Sequence, residues 1–316
     1  MHKVLVIHYS QTGQLTKIAD SIVKPLQNDD EITVDYLNLK PEKEYPFPWP
    51  FLTFFHIFPE CVKMTPQPMK VVEPAHSDYD LIILTYQVWF LSPSLPISSF
   101  MQSPQANKLL NNKPVITVIG CRGMWLSAQE KMKQLLKNVN ANLIDNVVLS
   151  DECGTGFSFL ATPLWMFTGK KKPVSWVPAA GIAEKEIIDA SRFGIAIKKS
   201  INNLPNTQQL QHSVLKGLGA VKVNERFIAS ERVGQHSFKI WSKILTALGP
   251  MHSKRRSCGL IIYVLFLLTL IITVVPITAI IKKLIAPLTR KKLQSKKPIL
   301  LSLLESSFTL WKMPYT

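Results

Sequence analysis

The sequence has few cysteines, and their spacing gives no sign of a disulfide framework or a metal site. Cys61, Cys121, Cys153 and Cys258 are scattered over 316 residues, without a CxxC pair and without histidines at ligand spacing. We therefore expect free thiols, a reducing compartment and no bound metal. We also expect no signal peptide, because Met1 leads within three residues into a run typical of a strand.

Acidic residues are also scarce. The chain has 21 Asp and Glu against 37 Lys and Arg, a net charge of +16, and no acidic residue lies between Glu231 and Glu305. The basic residues of that stretch stand on both sides of an uncharged run at residues 259–281. This arrangement favours an anionic membrane surface as a partner and disfavours a nucleic acid.

Two nucleotide-binding motifs are missing as well. The chain has neither GxxxxGK[ST] nor GxGxxG, which disfavours a P-loop site and a dinucleotide site. The turn after the first predicted strand instead reads SQTGQLT, residues 10–16. Its hydroxyls, its glycine and the amino terminus of the following helix suit a phosphate group. The alternative is an ordinary polar turn that caps a helix.

Predicted strands and helices alternate along the first 200 residues. Short apolar runs predict strands at residues 3–9, 31–39, 81–85, 115–120 and 143–149. Apolar residues at helical spacing predict helices at residues 13–26, 97–110, 124–139 and 183–201. The alternation indicates an α/β fold with a doubly wound, five-stranded parallel sheet of order 2-1-3-4-5, which binds ligands beyond the carboxyl ends of its strands.

Two further loops follow predicted strands three and four. Residues 85–96 carry aromatic side chains that either flank a flat ligand or pack on the rim of the sheet. In residues 120–125, two glycines permit a close approach to a ligand. Arg122 there either stabilises a reduced cofactor or an enolate, or forms a surface ion pair. Cys121 is expected to be a small buried residue and not a nucleophile.

The three loops together give the predicted site. The residues expected to bind the cofactor are Ser10, Gln11, Thr12, Gly13, Gln14, Leu15, Thr16, Tyr86, Gln87, Val88, Trp89, Phe90, Gly120, Cys121, Arg122, Gly123 and Trp125. Those expected to act in catalysis are Arg122 and Tyr86.

Two insertions, at about 41–78 and 151–180, interrupt the alternation. The stretch YPFPWPFLTFFHIFP, residues 45–59, has too much proline for a helix interior or a central strand. It is either a lid or binding loop, or a structural cover on the sheet. We expect a domain over residues 1–204, including both insertions, and a basic or amphipathic linker over 205–258.

Residues 259–281 form 23 uncharged positions, and a membrane helix needs about 20. A buried core helix is the alternative, although such a helix usually keeps a polar face. The basic tail, residues 282–316, is the more positive flank and argues against a simple single pass. A helix lying in the interface, or a re-entrant one, stays open.

Five stretches carry a family resemblance: YSQTGQLTKIADSI, YPFPWPFLTFFHIFPE, YDLIILTYQVWFLSPSLPISSF, KPVITVIGCRGMWLSAQEKM and ASRFGIAI. On these, residues 1–200 resemble the flavodoxin-like proteins of bacterial dialkylresorcinol gene clusters, which are called dialkylresorcinol condensing enzymes. The resemblance implies FMN, with Ser10, Thr12, Gly13 and Thr16 matching the flavodoxin phosphate motif. It also implies an aromatase that oxidises a 2,5-dialkylcyclohexane-1,3-dione to a dialkylresorcinol, because a partner ketosynthase performs the condensation.

We therefore expect an FMN-dependent oxidoreductase of aryl-lipid biosynthesis at the cytoplasmic face of the inner membrane. Its substrate would be a lipid-like cyclic dione, and its partners a ketosynthase and an acyl carrier protein. An NAD(P)H-dependent quinone or flavin reductase is one alternative. A membrane-bound, flavodoxin-type electron carrier is another, although such carriers usually present an acidic face and this chain has no obvious acidic cluster.

Overall fold

The computed structural model of the chain describes residues 1–151, 153, 157–202, 213–274 and 277. The chain divides into two compact units, Met1–Ser257 and Cys258–Thr316. The glycines at 154 and 156 of the second insertion, and the predicted tail at 282–316, lie outside the described residues.

The first unit is built on a parallel sheet. Its long strands are β1 (His2–His8), β2 (Ile32–Asn38), β5 (Leu81–Trp89), β7 (Pro114–Cys121) and β8 (Asn142–Ser150). They lie in the order β2-β1-β5-β7-β8, and each neighbouring pair is parallel. Counted along the chain, this is 2-1-3-4-5, the order predicted from the sequence. Short strands β3 (Lys40–Pro41) and β4 (Met69–Lys70) pair with each other, and β6 (Ser92–Pro93) pairs with the end of β5.

Helices cover both faces of this sheet. In chain order they are α1 (Gln14–Gln27), α2 (Phe51–His56), α3 (Phe58–Lys63), α4 (Leu95–Met101), α5 (Pro104–Leu110), α6 (Leu126–Asn138), α7 (Ser158–Thr168), α8 (Glu184–Asp189), α9 (Ser191–Ser200), α10 (Glu225–Ala247) and α11 (Lys254–Thr269). Apolar residues of α1, α8 and α9 form the core on one face, and those of α4, α5 and α6 form it on the other.

The contact between α1 and α9 depends on one glycine. A Cβ at Gly194 would lie 1.8 Å from the carbonyl oxygen of Ile22, far inside any allowed distance. Because the two backbones approach so closely here, no larger residue fits at position 194 without moving a helix.

Two predicted helices are each divided in the structure. The predicted helix 97–110 is α4 and α5, because Pro104 begins a new helix and the Ser103 hydroxyl accepts a hydrogen bond from the amide of Ala106. The predicted helix 183–201 is α8 and α9, which meet at Ala190.

The aromatic insertion also differs from expectation, because it contains two short helices. α2 begins after Pro50, and Pro59 lies in the first turn of α3. Proline is tolerated at both positions, since the amide it lacks would have no partner inside the helix. Neither proline lies in a helix interior, which agrees with the expectation from the proline content, although the two short helices themselves were not predicted.

The third strand is longer than predicted, which corrects the location of the second ligand loop. Residues 85–89 belong to β5 and not to a loop. They stay in the sheet because Tyr86 pairs with Ile119 and Gln87 with Gly120, and because β6 folds back on Val88 and Trp89. Only Phe90 and Leu91 form the turn, both with positive φ.

The first unit extends past the predicted boundary at residue 204. α10 packs against α3 and α6, and its residues Glu231, Ser242 and Leu245 are buried. Residues 225–257 therefore belong to this unit and do not act as a linker over that part of the predicted 205–258.

The second unit contains most of α11, followed by a π-helical turn at Leu270–Val274. Within the described residues, one helix, Lys254–Thr273, is long and apolar enough to cross a membrane. This feature coincides with the first part of the predicted apolar span.

Candidate functional site

The first predicted loop lies between β1 and α1, at the carboxyl edge of the sheet. Gly13 immediately precedes α1 with a φ of 76°, and among the described residues none but its chain neighbours comes within 4 Å of the position that its Cβ would occupy. The first turn of α1 has no acidic residue. The free amides and the positive end of the helix dipole therefore face an open space that suits an anion.

The hydroxyl of Ser10 has an unusual environment. Its Oγ is buried and has no hydrogen-bond partner among the described residues. A buried hydroxyl without a partner costs free energy, so such a group often indicates a bound ligand. Thr12 and Thr16, the other hydroxyls of the loop, are partly exposed.

The two glutamines of the loop bind protein groups. The Gln11 amide donates to the Pro46 carbonyl oxygen at 2.7 Å and accepts from the Trp49 indole at 3.0 Å. The Gln14 amide donates to the carbonyl oxygen of Ile182 and accepts from its backbone N–H. The first insertion and the segment just after the second one thus hold this loop in place. In this structure the side chains of Gln11 and Gln14 position the loop, and Leu15 is buried in the core.

β1 and β5 are the neighbours between which the strand order reverses, the position where doubly wound sheets bind ligands. At this point the Gln87 side chain also has an unsatisfied atom: its Oε1 is buried without a partner in the part of the chain that the structure describes. Ser94 Oγ, just after β6, has the same property. Near the carboxyl ends of β1 and β5, between which the strand order reverses, Ser10 Oγ and Gln87 Oε1 thus both lack a partner among the described residues.

Trp89 and Phe90 pack under the aromatic insertion. The Trp89 ring lies 6.1 Å from Tyr9, 5.3 Å from Tyr45 and 5.8 Å from Trp49. Phe90 lies 4.7 Å from Phe54. The insertion is thus a cover on the rim of the sheet, as the structural alternative expected. Val88 is half-buried beside it.

Tyr86 faces the interior. Its ring is fully buried, its hydroxyl donates to Gln129 Oε1 at 2.5 Å, and burial raises its pKa well above the usual range. The cause is the longer β5, which turns this residue toward α6. The catalytic role predicted for Tyr86 therefore has no support in the structure.

The loop after β7 lies at the same edge. Gly120 is the close-approach residue there, because its Cβ would be 3.3 Å from Leu15. Burial raises the pKa of the Cys121 thiol to about 12, which agrees with an unreactive cysteine. Burial lowers the pKa of Arg122, and the Asp151 carboxylate partly offsets this. Trp125 is buried at the start of α6.

Sequence reasoning missed the contribution of α10 to this loop. The Glu231 carboxylate is buried, and its Oε1 accepts the backbone N–H of Ser127 at 2.5 Å. Its Oε2 has no hydrogen-bond partner among the described residues. A Cβ at Gly123 would lie 3.1 Å from the Phe227 ring. No sequence motif points to these residues, because they reach the loop only through tertiary packing.

No protein-family profile matches the chain, and no curated protein matches it. Solved structures do. A flavoprotein in complex with FMN from Lactobacillus acidophilus is 16% identical, with a TM-score of 0.38, over 47% of this chain and 93% of that one. A Fusobacterium nucleatum flavodoxin bound to flavin mononucleotide is 10% identical, with a TM-score of 0.33, over 64% and 99%.

A flavone reductase is 10% identical, with a TM-score of 0.34, over 67% of this chain and 65% of the reductase. Two of these three neighbours thus contain FMN. The fold class rests on the topology: a doubly wound α/β domain of order 2-1-3-4-5, the order of flavodoxin-like proteins.

Proposed function

We propose that this protein is a flavin-dependent oxidoreductase that holds FMN at the carboxyl edge of its sheet. The observation that carries the proposal is the buried hydroxyl of Ser10, which has no hydrogen-bond partner among the described residues and precedes the amino terminus of α1. The phosphate would accept hydrogen bonds from Ser10, Thr12, Thr16 and the first amides of α1. Gly13 leaves the space that the phosphate needs.

The isoalloxazine ring would lie between the β5–β6 turn and the loop after β7. Gln87 Oε1, unpartnered among the described residues, is a suitable acceptor for a ring N–H. The backbone of residues 120–123 would border the ring, while the missing side chains of Gly120 and Gly123 make room for Leu15 and Phe227. The packed Trp89 forms one wall.

The reaction we propose is the aromatisation of a 2,5-dialkylcyclohexane-1,3-dione to a dialkylresorcinol. The conversion removes two hydrogen atoms from the ring, as one hydride and one proton. Bound FMN supplies the two-electron acceptor, which no amino-acid side chain provides. The Arg122 guanidinium lies in the loop after β7 and would stabilise the enolate of the dione.

The lipid-like substrate and the apolar run support a membrane location. We propose that residues 259–281 attach the protein to the cytoplasmic face of the inner membrane, where a dione with two alkyl chains accumulates. The class of enzyme that must supply this dione is a ketosynthase that joins two acyl chains. That enzyme and its acyl carrier protein are the proposed partners.

An anaerobic titration of the FMN-loaded protein tests the reaction. Addition of a synthetic dialkylcyclohexanedione should bleach the visible absorbance of the oxidised flavin and should release one resorcinol per flavin reduced. Rapid bleaching by NADPH, with none by the dione, would instead establish the quinone or flavin reductase. One-electron exchange without turnover of either compound would establish the electron carrier.

A further inference from the structure

We propose that the first unit lies against the lipid bilayer with a defined apolar face, formed by the outer sides of α2 and α7. This membrane face consists of Phe51, Leu52, Phe157, Leu160, Leu164 and Phe167. It places the aromatic insertion, and with it the cofactor edge of the sheet, at the lipid surface. The inference rests on the membrane attachment proposed above and adds the orientation of the domain.

The helical spacing of α7 defines one half of the face. Phe157, Leu160, Leu164 and Phe167 recur every three or four residues and therefore share one side of the helix. Phe157 and Leu160 are 46% and 40% exposed. Ala161, which borders this stripe on the helix, is buried with Val177 and Ala180, so the exposed stripe ends there. An exposed apolar stripe of this kind requires a partner.

α2 continues the same stripe. The Phe51 ring lies 5.1 Å from the Phe167 ring, and the backbone N–H of Trp49 donates to the Met166 carbonyl oxygen at 2.8 Å. Phe51 and Leu52 are nevertheless 47% and 42% exposed. The two helices thus form one continuous apolar surface and not two separate patches.

The charge beside the face fits an anionic lipid surface. Lys170, Lys171 and Lys172 directly follow α7 and are exposed, and Lys171 Nζ lies 5.6 Å from the Trp165 ring. Trp176, in the same loop, is 65% exposed. Aromatic residues with lysines at their edge are typical of the membrane interface.

The start of the apolar helix adjoins this face. The Arg256 guanidinium is buried, pairs with Glu60 at 2.8 Å and donates to the carbonyl oxygen of His56, the last residue of α2. Lys254 and Arg255 beside it are exposed. The last residues of the first unit, which lead into the apolar run, are therefore anchored at the end of α2, and their basic side chains favour an anionic lipid surface over a second protein copy.

The test places an environment-sensitive fluorophore on single added cysteines of the full-length chain, in which serine replaces Cys121 and Cys258, the two native cysteines that are not buried. Leu52→Cys and Leu160→Cys report on the face. Ile195→Cys and Val71→Cys are matched controls, because these apolar residues are also exposed but lie on α9 and next to β4. The protein is reconstituted in vesicles of phosphatidylcholine and phosphatidylglycerol that carry a spin-labelled lipid.

We expect the spin label to quench the fluorophores at positions 52 and 160 but not those at 195 and 71. The triple variant Lys170→Glu, Lys171→Glu, Lys172→Glu should reduce quenching at position 160, whereas Lys185→Glu with Lys199→Glu should not. If the fluorophores at positions 52 and 160 are not quenched although the protein still sediments with the vesicles, the proposed membrane face is wrong, whereas the proposed membrane attachment stands. Cross-links between copies through position 160 would also overturn the face. Neither FMN nor substrate enters this measurement.

Discussion

Ser10 and Gln87 lie near the carboxyl ends of the adjacent strands β1 and β5. Each has a buried side-chain oxygen without a hydrogen-bond partner among the described residues. In a folded domain such atoms usually find a protein or water partner. Two of them at the reversal of the strand order are better explained by a ligand than by chance. The ligand would have an anion near Ser10 and a donor near Gln87.

The Ser10→Ala substitution separates ligand binding from stability. We expect the affinity for FMN to fall about 10- to 100-fold, because a hydrogen bond to a charged group contributes about 1.5–3 kcal/mol. The thermal midpoint should barely change, since the hydroxyl has no described protein partner to lose. Quenching of FMN fluorescence measures the first quantity and thermal unfolding the second.

The control is Ser21→Ala in α1, the helix that follows the loop. The Ser21 hydroxyl donates to the carbonyl oxygen of Ile188 at 3.0 Å, away from the loop. This variant should bind FMN like the wild type. Equal affinities of the Ser10 and Ser21 variants would show that the phosphate is not held at Ser10.

The buried imidazole of His8 should make the stability of the folded protein depend on pH. Burial lowers its pKa below the usual 6.5, and Asp20 offsets only part of this. The unfolded chain therefore takes up a proton at a pH where the folded protein does not, so stability is lost as the pH falls below about 6.5. His56, whose pKa burial also lowers, adds to the effect.

The His8→Asn variant should lose less stability than the wild type between pH 7.5 and pH 5.5, measured by chemical denaturation at each pH. His236→Asn, at an exposed position of α10, should behave like the wild type. A wild-type midpoint that does not decrease over this range contradicts the assignment.

The strands that form the sheet were predictable as elements, because uninterrupted apolar runs suit a strand buried on both faces. The end of β5 at Trp89 could not be predicted in this way. Residues 85–89 mix polar and aromatic types, and they stay in the sheet only because β6 and β7 pair with them. Tertiary pairing of this kind leaves no periodicity in the sequence, so Tyr86 was placed in a loop.

Packing between α1 and α9 is tested by Gly194→Ala. The added Cβ would meet the Ile22 carbonyl oxygen at 1.8 Å, so we expect the free energy of unfolding to fall by about 3 kcal/mol. Gly234→Ala, in α10, has its nearest neighbour at 3.4 Å and should raise stability by up to about 1 kcal/mol. Urea unfolding followed by tryptophan fluorescence compares the two, and a stable Gly194 variant would show that these helices are not so closely packed.

At the scale of the whole molecule, the cofactor loop and the apolar run were visible in the sequence, because each is a local pattern. The extension of the first unit beyond residue 204 and the role of α10 could not be recognised in the sequence. Glu231 and Phe227 reach the loop after β7 from more than 100 residues away, and only the folded chain shows it.

Membrane attachment is tested in the full chain by Leu268→Lys combined with Ile272→Lys. Each lysine near the centre of the run costs about 3 kcal/mol in the bilayer, so the variant should be released by alkaline carbonate, whereas the wild type stays with the membrane. Val233→Lys with Ile195→Lys, at exposed positions of the first unit, should stay bound. Release of the wild type itself would exclude an inserted helix.

The loop at residues 10–16 is proposed to hold the phosphate of FMN, and a comparison of FMN with riboflavin tests this assignment. The two ligands share the isoalloxazine ring and differ in the phosphate. Titration of the apoprotein should give one tightly bound FMN per chain and an affinity for riboflavin lower by at least about 100-fold, since the phosphate makes several charge-assisted hydrogen bonds. Equal affinities, or no binding of either flavin, would contradict the account.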